Sequence, residues 1–203
     1  LRFKNSLLNE NESFKSKLAE NDALLLNYYS ILDENIKLKE ILERKNEKDK
    51  MLLSAILGKQ NQSLYDTLII DVGSNHGVKE GDLVFALGQT PIGRIALLYP
   101  NSSKVILFSN SGVKTEVVIE NRDIFVEIVG RGGGNFEMIL PRDFILEKGQ
   151  AVFLPGIFPY LLAKAETIIS DPRDSFIKAL LTSPINIQEL KFVQIKFTKD
   201  YPL

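Results

Sequence analysis

The chain has 203 residues, 44% of them hydrophobic and 25% charged, with a net charge of -1, one His and no Cys. Without an excess of Lys and Arg there is no electrostatic footprint for nucleic acid, so no nucleic-acid partner is expected. The lack of Cys excludes disulfides, thiolate nucleophiles and Cys-ligated metals, and a lone His excludes a multi-His metal site.

No Gly or Pro occurs before Gly58, whereas all 13 Gly and 8 Pro follow from there on. Both residues end helices, so their absence argues an uninterrupted helical segment, and their later abundance argues a turn-rich body. Residues 1–50 are expected to form a coiled-coil stalk. Leu7, Asn11, Phe14 and Leu18 fall at alternating spacings of four and three. Asn21, Leu24, Tyr28, Ile31, Asn35, Leu38 and Leu42 keep the alternation but are displaced by one step, as a three-residue stammer near residues 18–21 would require. This narrow stripe suits a seam with a second helix, and Asn at a positions favours a register-specific parallel dimer. The rival reading is a single amphipathic helix folded back on the body. Around residues 43–50 the sequence is almost wholly charged, and the helix is expected to fray or turn there before the apolar stretch Met51 to Leu57.

Beyond Gly58, apolar runs of four to seven residues alternate with Gly, Asn, Asp, Ser and Pro, which is the pattern of consecutive strands. Eleven are expected: Leu68 to Val72, Leu83 to Leu87, Ile92 to Leu98, Val105 to Phe108, Val113 to Ile119, Ile124 to Val129, Phe136 to Leu140, Ala151 to Leu154, Ala163 to Ile169, Phe176 to Leu181 and Leu190 to Phe197. No interval leaves room for a crossover helix, so the sheets should be antiparallel. The expected fold is therefore a long α-helix followed by all-β structure, in two small six-stranded antiparallel barrels. The division is placed near residue 120, giving a first barrel over 51–120 and a second over 121–203. The strand near Ala55 could pair with either.

Gly73, Gly77 and Gly81 lie between two strand-like runs, where tight turns account for them better than a phosphate loop, which would have to open a helix. The run Gly130 to Gly134 fails as a dinucleotide fingerprint because Asn135 stands where its last Gly should be, so a hairpin loop is the better account. His76 alone cannot build a triad with any recognisable nucleophile, and no catalytic, cofactor or metal site is assigned. Residues 154–162, LPGIFPYLL, cannot be regular strand throughout. Phe158 and Tyr160 in it would make good partner-binding anchors, or could plug a barrel end.

The segment from Leu68 to Leu98 carries Gly73, Ser74, Gly77, Val78, Gly81 and Val84, then Gly93 and Arg94 followed by Ile95. This spacing resembles the G-S-x-x-G-V-x-x-G-x-x-V motif and the later Gly-Arg-Val of the MreC family of bacterial rod shape-determining proteins. The resemblance weakens in the last 70 residues, where Leu154 to Leu162 is more apolar than the family's pattern. It implies a non-enzymatic scaffold of the cell-elongation machinery, a single-pass inner-membrane protein that dimerises through its coiled coil and presents two barrels outside the membrane. It also implies a membrane helix ahead of Leu1, a barrel pair like that of two-barrel proteases without their triad, and no cofactor. The partners implied are a second copy, a class B penicillin-binding protein with RodA, MreD and the actin-like MreB. A coiled-coil periplasmic adaptor of an export pump is the alternative, and it requires a returning stalk helix.

Overall fold

The computed structural model describes residues 2–41, 51–59, 66–122, 124–156, 158–171 and 173–197. One compact unit spans residues 1–49 and a second spans residues 50–203.

The first unit is the helix α1, Arg2–Ile41, 40 residues of uninterrupted α conformation. At 1.5 Å per residue it is about 60 Å long. Its apolar side chains Leu7, Phe14, Leu18, Leu24, Tyr28 and Ile31 are all solvent-exposed within the single chain. Lys37 pairs with Asp33 one turn earlier, at 2.6 Å.

The described residues of the second unit form twelve strands. They are β1 (Met51–Lys59), β2 (Thr67–Ile70), β3 (Leu83–Ala86), β4 (Thr90–Leu98), β5 (Ser103–Leu107) and β6 (Lys114–Ile119). They continue with β7 (Phe125–Gly132), β8 (Asn135–Pro141), β9 (Ala151–Leu154), β10 (Tyr160–Ser170), β11 (Phe176–Thr182) and β12 (Phe192–Lys196). All pair antiparallel and close into two six-stranded barrels, in the order β1-β12-β3-β4-β5-β2 and β10-β11-β8-β7-β6-β9. Each of the eleven strands expected after Gly58 is present. Met51–Lys59 is a strand too, so the freedom of residues 51–57 from Gly and Pro does not make them helical; large apolar residues set between two neighbouring strands decide their state.

The expected cut at residue 120 does not separate the barrels. β6 lies before it yet closes the second barrel against β7 and β9, and β12 lies after it yet completes the first barrel between β1 and β3. β1 accordingly belongs to the first barrel, paired with the last strand from Met51 opposite Lys196 to Ala55 opposite Phe192. The second barrel is thus inserted between β5 and β12 of the first.

Each barrel has its own apolar interior, built from alternate residues of its strands as a half-buried sheet requires. Leu68, Ile70, Val84, Ile95, Val105, Val193 and Ile195 fill the first. Val117, Ile119, Ile128, Phe136, Met138, Leu162 and Leu181 fill the second, together with Phe108 from the connection between the two. Apolar residues remain uncovered on the outside of both barrels, among them Leu53, Leu87 and Phe192 on the first and Phe125, Ile139 and Phe176 on the second.

A candidate partner-binding surface on the second barrel

The glycine-spaced segment is the frame on which this surface is mounted. Gly73 is in extended backbone, and a Cβ there would collide with the Tyr99 carbonyl and stand 2.8 Å from both the Pro100 carbonyl oxygen and the Ser102 nitrogen. The chain crosses so closely that Ser74 donates its N–H to the Tyr99 carbonyl at 2.9 Å. Gly77 then ends a one-turn 3-10 helix, Ser74–His76, with φ +80, a conformation that side chains with a Cβ resist. Val78 is buried, and Gly81 donates to the Ile95 carbonyl at 2.9 Å. Gly93 lies flat against β5, where a Cβ would collide with the Ile106 carbonyl and stand 2.9 Å from the Leu107 Cα. Arg94 places its guanidinium over the Phe108 ring at 5.2 Å, on the chain that leads into the second barrel. The sole imidazole, His76, accepts the Gly73 N–H on Nδ1 at 3.2 Å and is part of this turn. The expected hairpin in the Gly130–Gly134 run is also present, with Gly133 and Gly134 linking β7 to β8.

Two groups of contacts, around Tyr160 and around Asp66, fix one barrel against the other. The Tyr160 ring of β10 meets Phe85 of β3 edge-on at 4.8 Å between centroids, and the Lys196 ammonium of β12 donates to the Tyr160 hydroxyl at 2.8 Å. Asp66, just ahead of β2, accepts from the Ser109 hydroxyl at 2.8 Å and from the Gly133 N–H at 2.5 Å, while its own N–H goes to the Asn110 side chain at 2.9 Å. Of the two expected anchors, Tyr160 is therefore half-buried in the joint between the barrels. Phe158 is half-buried in the loop that follows β9.

Sequence reasoning missed several apolar residues that the second barrel leaves open. Phe125 is 60% exposed, Phe176 58% and Ile139 59%, with Ile169 half-exposed. Val118 lies between Phe125 and Phe153, Phe176 stands opposite Pro141, and Lys178 stands between Ile139 and Ile169. A groove of about 700 Å³ opens beside Phe125, lined by Val118, Phe153, Pro155 and Pro159 together with Glu120 and Arg122. Exposed aromatics clustered on one face are the residues that carry most interface energy. The signal available in the sequence was Phe at the first position of two strands, Phe125 and Phe176, on the outward-facing alternation.

Beside this patch lies a charge cluster. The Glu137 carboxylate is 11% exposed and pairs with the Arg131 guanidinium at 2.7 Å and the Lys178 ammonium at 3.4 Å. The hydrogen bond from Arg131, then the charges of Arg131 and Lys178, hold its pKa below the usual carboxylate range against the opposing effect of burial. A folded pKa below the unfolded one adds stability above the unfolded value and loses it as pH falls through the folded value. Resistance of the wild type to urea should therefore fall on acidification below the ordinary value of 4.5. In Glu137→Gln that part of the pH dependence should vanish, and an unchanged slope would show that Glu137 does not contribute it.

On α1, Asn11, Asn21 and Asn35 are exposed with the seam leucines, while the Leu38 side chain and all of Leu42 lie outside the described residues. The described residues contain no helix long and apolar enough to cross a membrane.

Residues 56–196, which include both barrels almost entire, match the sequence family described as rod shape-determining protein MreC, barrel core. The chain belongs to the MreC family. It is 22% identical over 199 residues to the cell shape-determining protein MreC of Escherichia coli K12, across 94% of this chain and 54% of that one, so it spans about half the length of that relative. Among solved structures, MreC of Listeria monocytogenes superposes with a TM-score of 0.71 at 24% identity, covering 94% of this chain and all of the other. MreC from Pseudomonas aeruginosa gives 0.67 at 20% identity, covering 73% of this chain and all of that one. A complex between penicillin-binding protein PBP2 and MreC from Helicobacter pylori gives 0.52 at 13% identity, covering 74% and 100%. At these identities the likeness is one of fold: this member of the MreC family shares the twin-barrel architecture of its relatives.

Proposed function

We propose that this chain is a scaffold without chemistry of its own in a cell-shape machinery, in which the second barrel docks a class B penicillin-binding protein. The observation that carries the reading is the open Phe125–Phe176 face with its adjoining groove, on a barrel pair whose fold matches a relative solved in complex with PBP2. Self-association through α1 gives the assembly two such faces, and the same reading puts RodA, MreD and MreB in it, with the chain held at the inner membrane and its barrels on the extracytoplasmic side. Phe158, in the loop beside the groove, belongs to the proposed docking surface, whereas Tyr160 supports it from the joint. The pump-adaptor alternative needs a second, returning stalk helix, and the described residues contain one long helix.

The test is the affinity of the purified chain for the organism's elongation-specific penicillin-binding protein. Phe125→Glu with Phe176→Glu should weaken binding at least tenfold, since anchoring aromatics contribute on the order of 2 kcal/mol each, while melting stays unchanged because both rings are already in solvent. Unaltered affinity would remove this face from the interface. Phe158→Ala should weaken binding by a smaller factor, and Tyr160→Ala should lower melting as well.

A further inference from the structure

A closed barrel hides its sheet edges only where neighbouring strands overlap, and staggered strands leave overhangs at its mouth. β10 has such an overhang. Its pairing with β9 ends at Lys164 opposite Ala151, just before the bulge that shifts its register against β11 between Ala165 and Thr167. Ala165 still finds partners on the β9 side, donating to the Gln150 carbonyl at 2.9 Å and accepting the Gly149 N–H at 2.7 Å. From Glu166 to Ser170 no backbone group of the described residues meets the strand on that side.

The pairing of β11 tells which groups are left open. β11 pairs with β8 without a register shift, so its residues turn their N–H and C=O alternately to β8 and to β10. Ala165 turns away from Leu181 opposite it, so Leu180 and Lys178 are the residues that bond β10, through Thr167 and Ile169. The N–H and C=O of Ile168 and Ser170 therefore face outward along the open edge. Edges of this kind are ordinarily blunted by Lys, Pro or a covering segment. Here Thr167, Ile168, Ile169 and Ser170 are uncharged, three of them are β-branched, and all but the half-buried Ile168 are exposed. The stretch is a template for one more strand, which would gain affinity from main-chain hydrogen bonds and selectivity from alternate side chains.

Position and charge choose the occupant. Ile169 stands in one cross-strand row with Lys178 and Ile139, and Phe176 lies two residues from Lys178 on the same face. Two strand spacings, about 10 Å, separate β8 from β10, so one domain covering Phe176 and Ile139 also reaches the edge. The charged residues nearest the open stretch are Glu166 and Asp171, both exposed. In an antiparallel copy of this edge Glu166 of one chain would come close to Asp171 of the other, and like charges there repel. A strand with Lys or Arg at its flank suits the edge better than a second copy does.

We infer that the open edge at Ile168–Ser170 receives a strand of the penicillin-binding protein docked on this barrel, an extended apolar segment with a basic flank that adds to β10 by main-chain hydrogen bonds. The inference rests on the docking proposed above and gives it a binding mode.

Hydrogen exchange of the full chain, resolved to single amides by mass spectrometry with and without the purified penicillin-binding protein, tests it. Ile168 and Ser170 should exchange at least tenfold more slowly in the complex, whereas Thr167 and Ile169, already bonded to β11, should change less. Ser170→Pro removes one outward donor without breaking a bond of the free chain, so its melting should hold while affinity falls at least fivefold. Ser170→Ala keeps the N–H and should bind as the wild type does. Equal affinity of the two variants would overturn strand addition. So would a complex in which Ile168 and Ser170 exchange as fast as in the free chain, and that result would leave docking through Phe125 and Phe176 standing. Slowing that grows with the concentration of this chain alone would assign the edge to a second copy and overturn the inference. Absence of any binding would remove the docking reading itself, and the inference with it. Glu166→Lys should weaken binding severalfold, and tighter binding would reject the basic flank.

Discussion

Gly93→Val should abolish cooperative folding of the first barrel or lower its melting temperature by roughly 10 °C. Its Cβ would be driven into the Ile106 carbonyl, and the nearest other atom, the Leu107 Cα at 2.9 Å, is also backbone. Neither can swing aside as a side-chain end could, so β4 must part from β5 at the point where Gly93 pairs with Leu107. Overpacking of this kind costs about 3 kcal/mol or more out of a total stability on the order of 10 kcal/mol. At 2–4 °C per kcal/mol for a body of this size, that gives the expected shift. Gly58→Ala is the matched control. Nothing stands within 4 Å of a Cβ there and its φ is not positive, so circular dichroism melting should move little or slightly upward. If the two variants melted together, close backbone approach would not be what Gly93 serves. Gly73→Ala belongs with Gly93, because it meets three backbone atoms of the segment 99–102.

Asp66→Ala should cost roughly 3 kcal/mol and loosen the two barrels from each other. The carboxylate receives the Ser109 hydroxyl from the connection between barrels and the Gly133 N–H from the β7–β8 hairpin. Hydrogen bonds to a charged acceptor are each worth about 1.5–3 kcal/mol when lost, and here two donors are orphaned together. Hydrogen exchange read by mass spectrometry should show faster exchange at Gly133 and in the hairpin before any change in the barrel interiors. Asp66→Asn keeps an acceptor of the same shape and should lose about half as much. Uniform acceleration over the whole body would mean that Asp66 supports global stability and not the joint.

Local chemistry was legible in the sequence to the extent that it is local. Missing Gly and Pro marked α1, and turn residues at short intervals marked all eleven strands after Gly58, because helix and turn formation depend on neighbours a few residues away. The alternation Val193, Ile195, Phe197 announced a half-buried strand. It could not announce that the strand's partner is β1, some 140 residues earlier, since alternation records which face is buried and not against what. The cut at residue 120 failed for the same reason: β6 reads as a strand of either barrel until β7 and β9 are placed beside it. Tyr160 shows the limit for a site. An aromatic in an apolar loop fits a docking anchor and a joint equally well, and only the ring of Phe85 and the ammonium of Lys196 decide that it serves the joint. Phe125 and Phe176 were hidden in the strand pattern because outward Phe and inward Phe look alike without the register.

The pairing of β1 with β12 also dictates an order of events as the chain is made. The first barrel cannot close until its last strand arrives, so β1 to β5 must wait, as an open sheet with two unsatisfied edges, while the inserted barrel from β6 to β11 acquires all its strands and can close by itself. The body therefore ripens from its middle outward, and its amino-terminal and carboxy-terminal strands end side by side. A loss of a few residues from the carboxy-terminal strand would leave the inserted barrel intact and the enclosing one permanently ajar, exposing the edges of β1 and β3 to strand exchange with other chains.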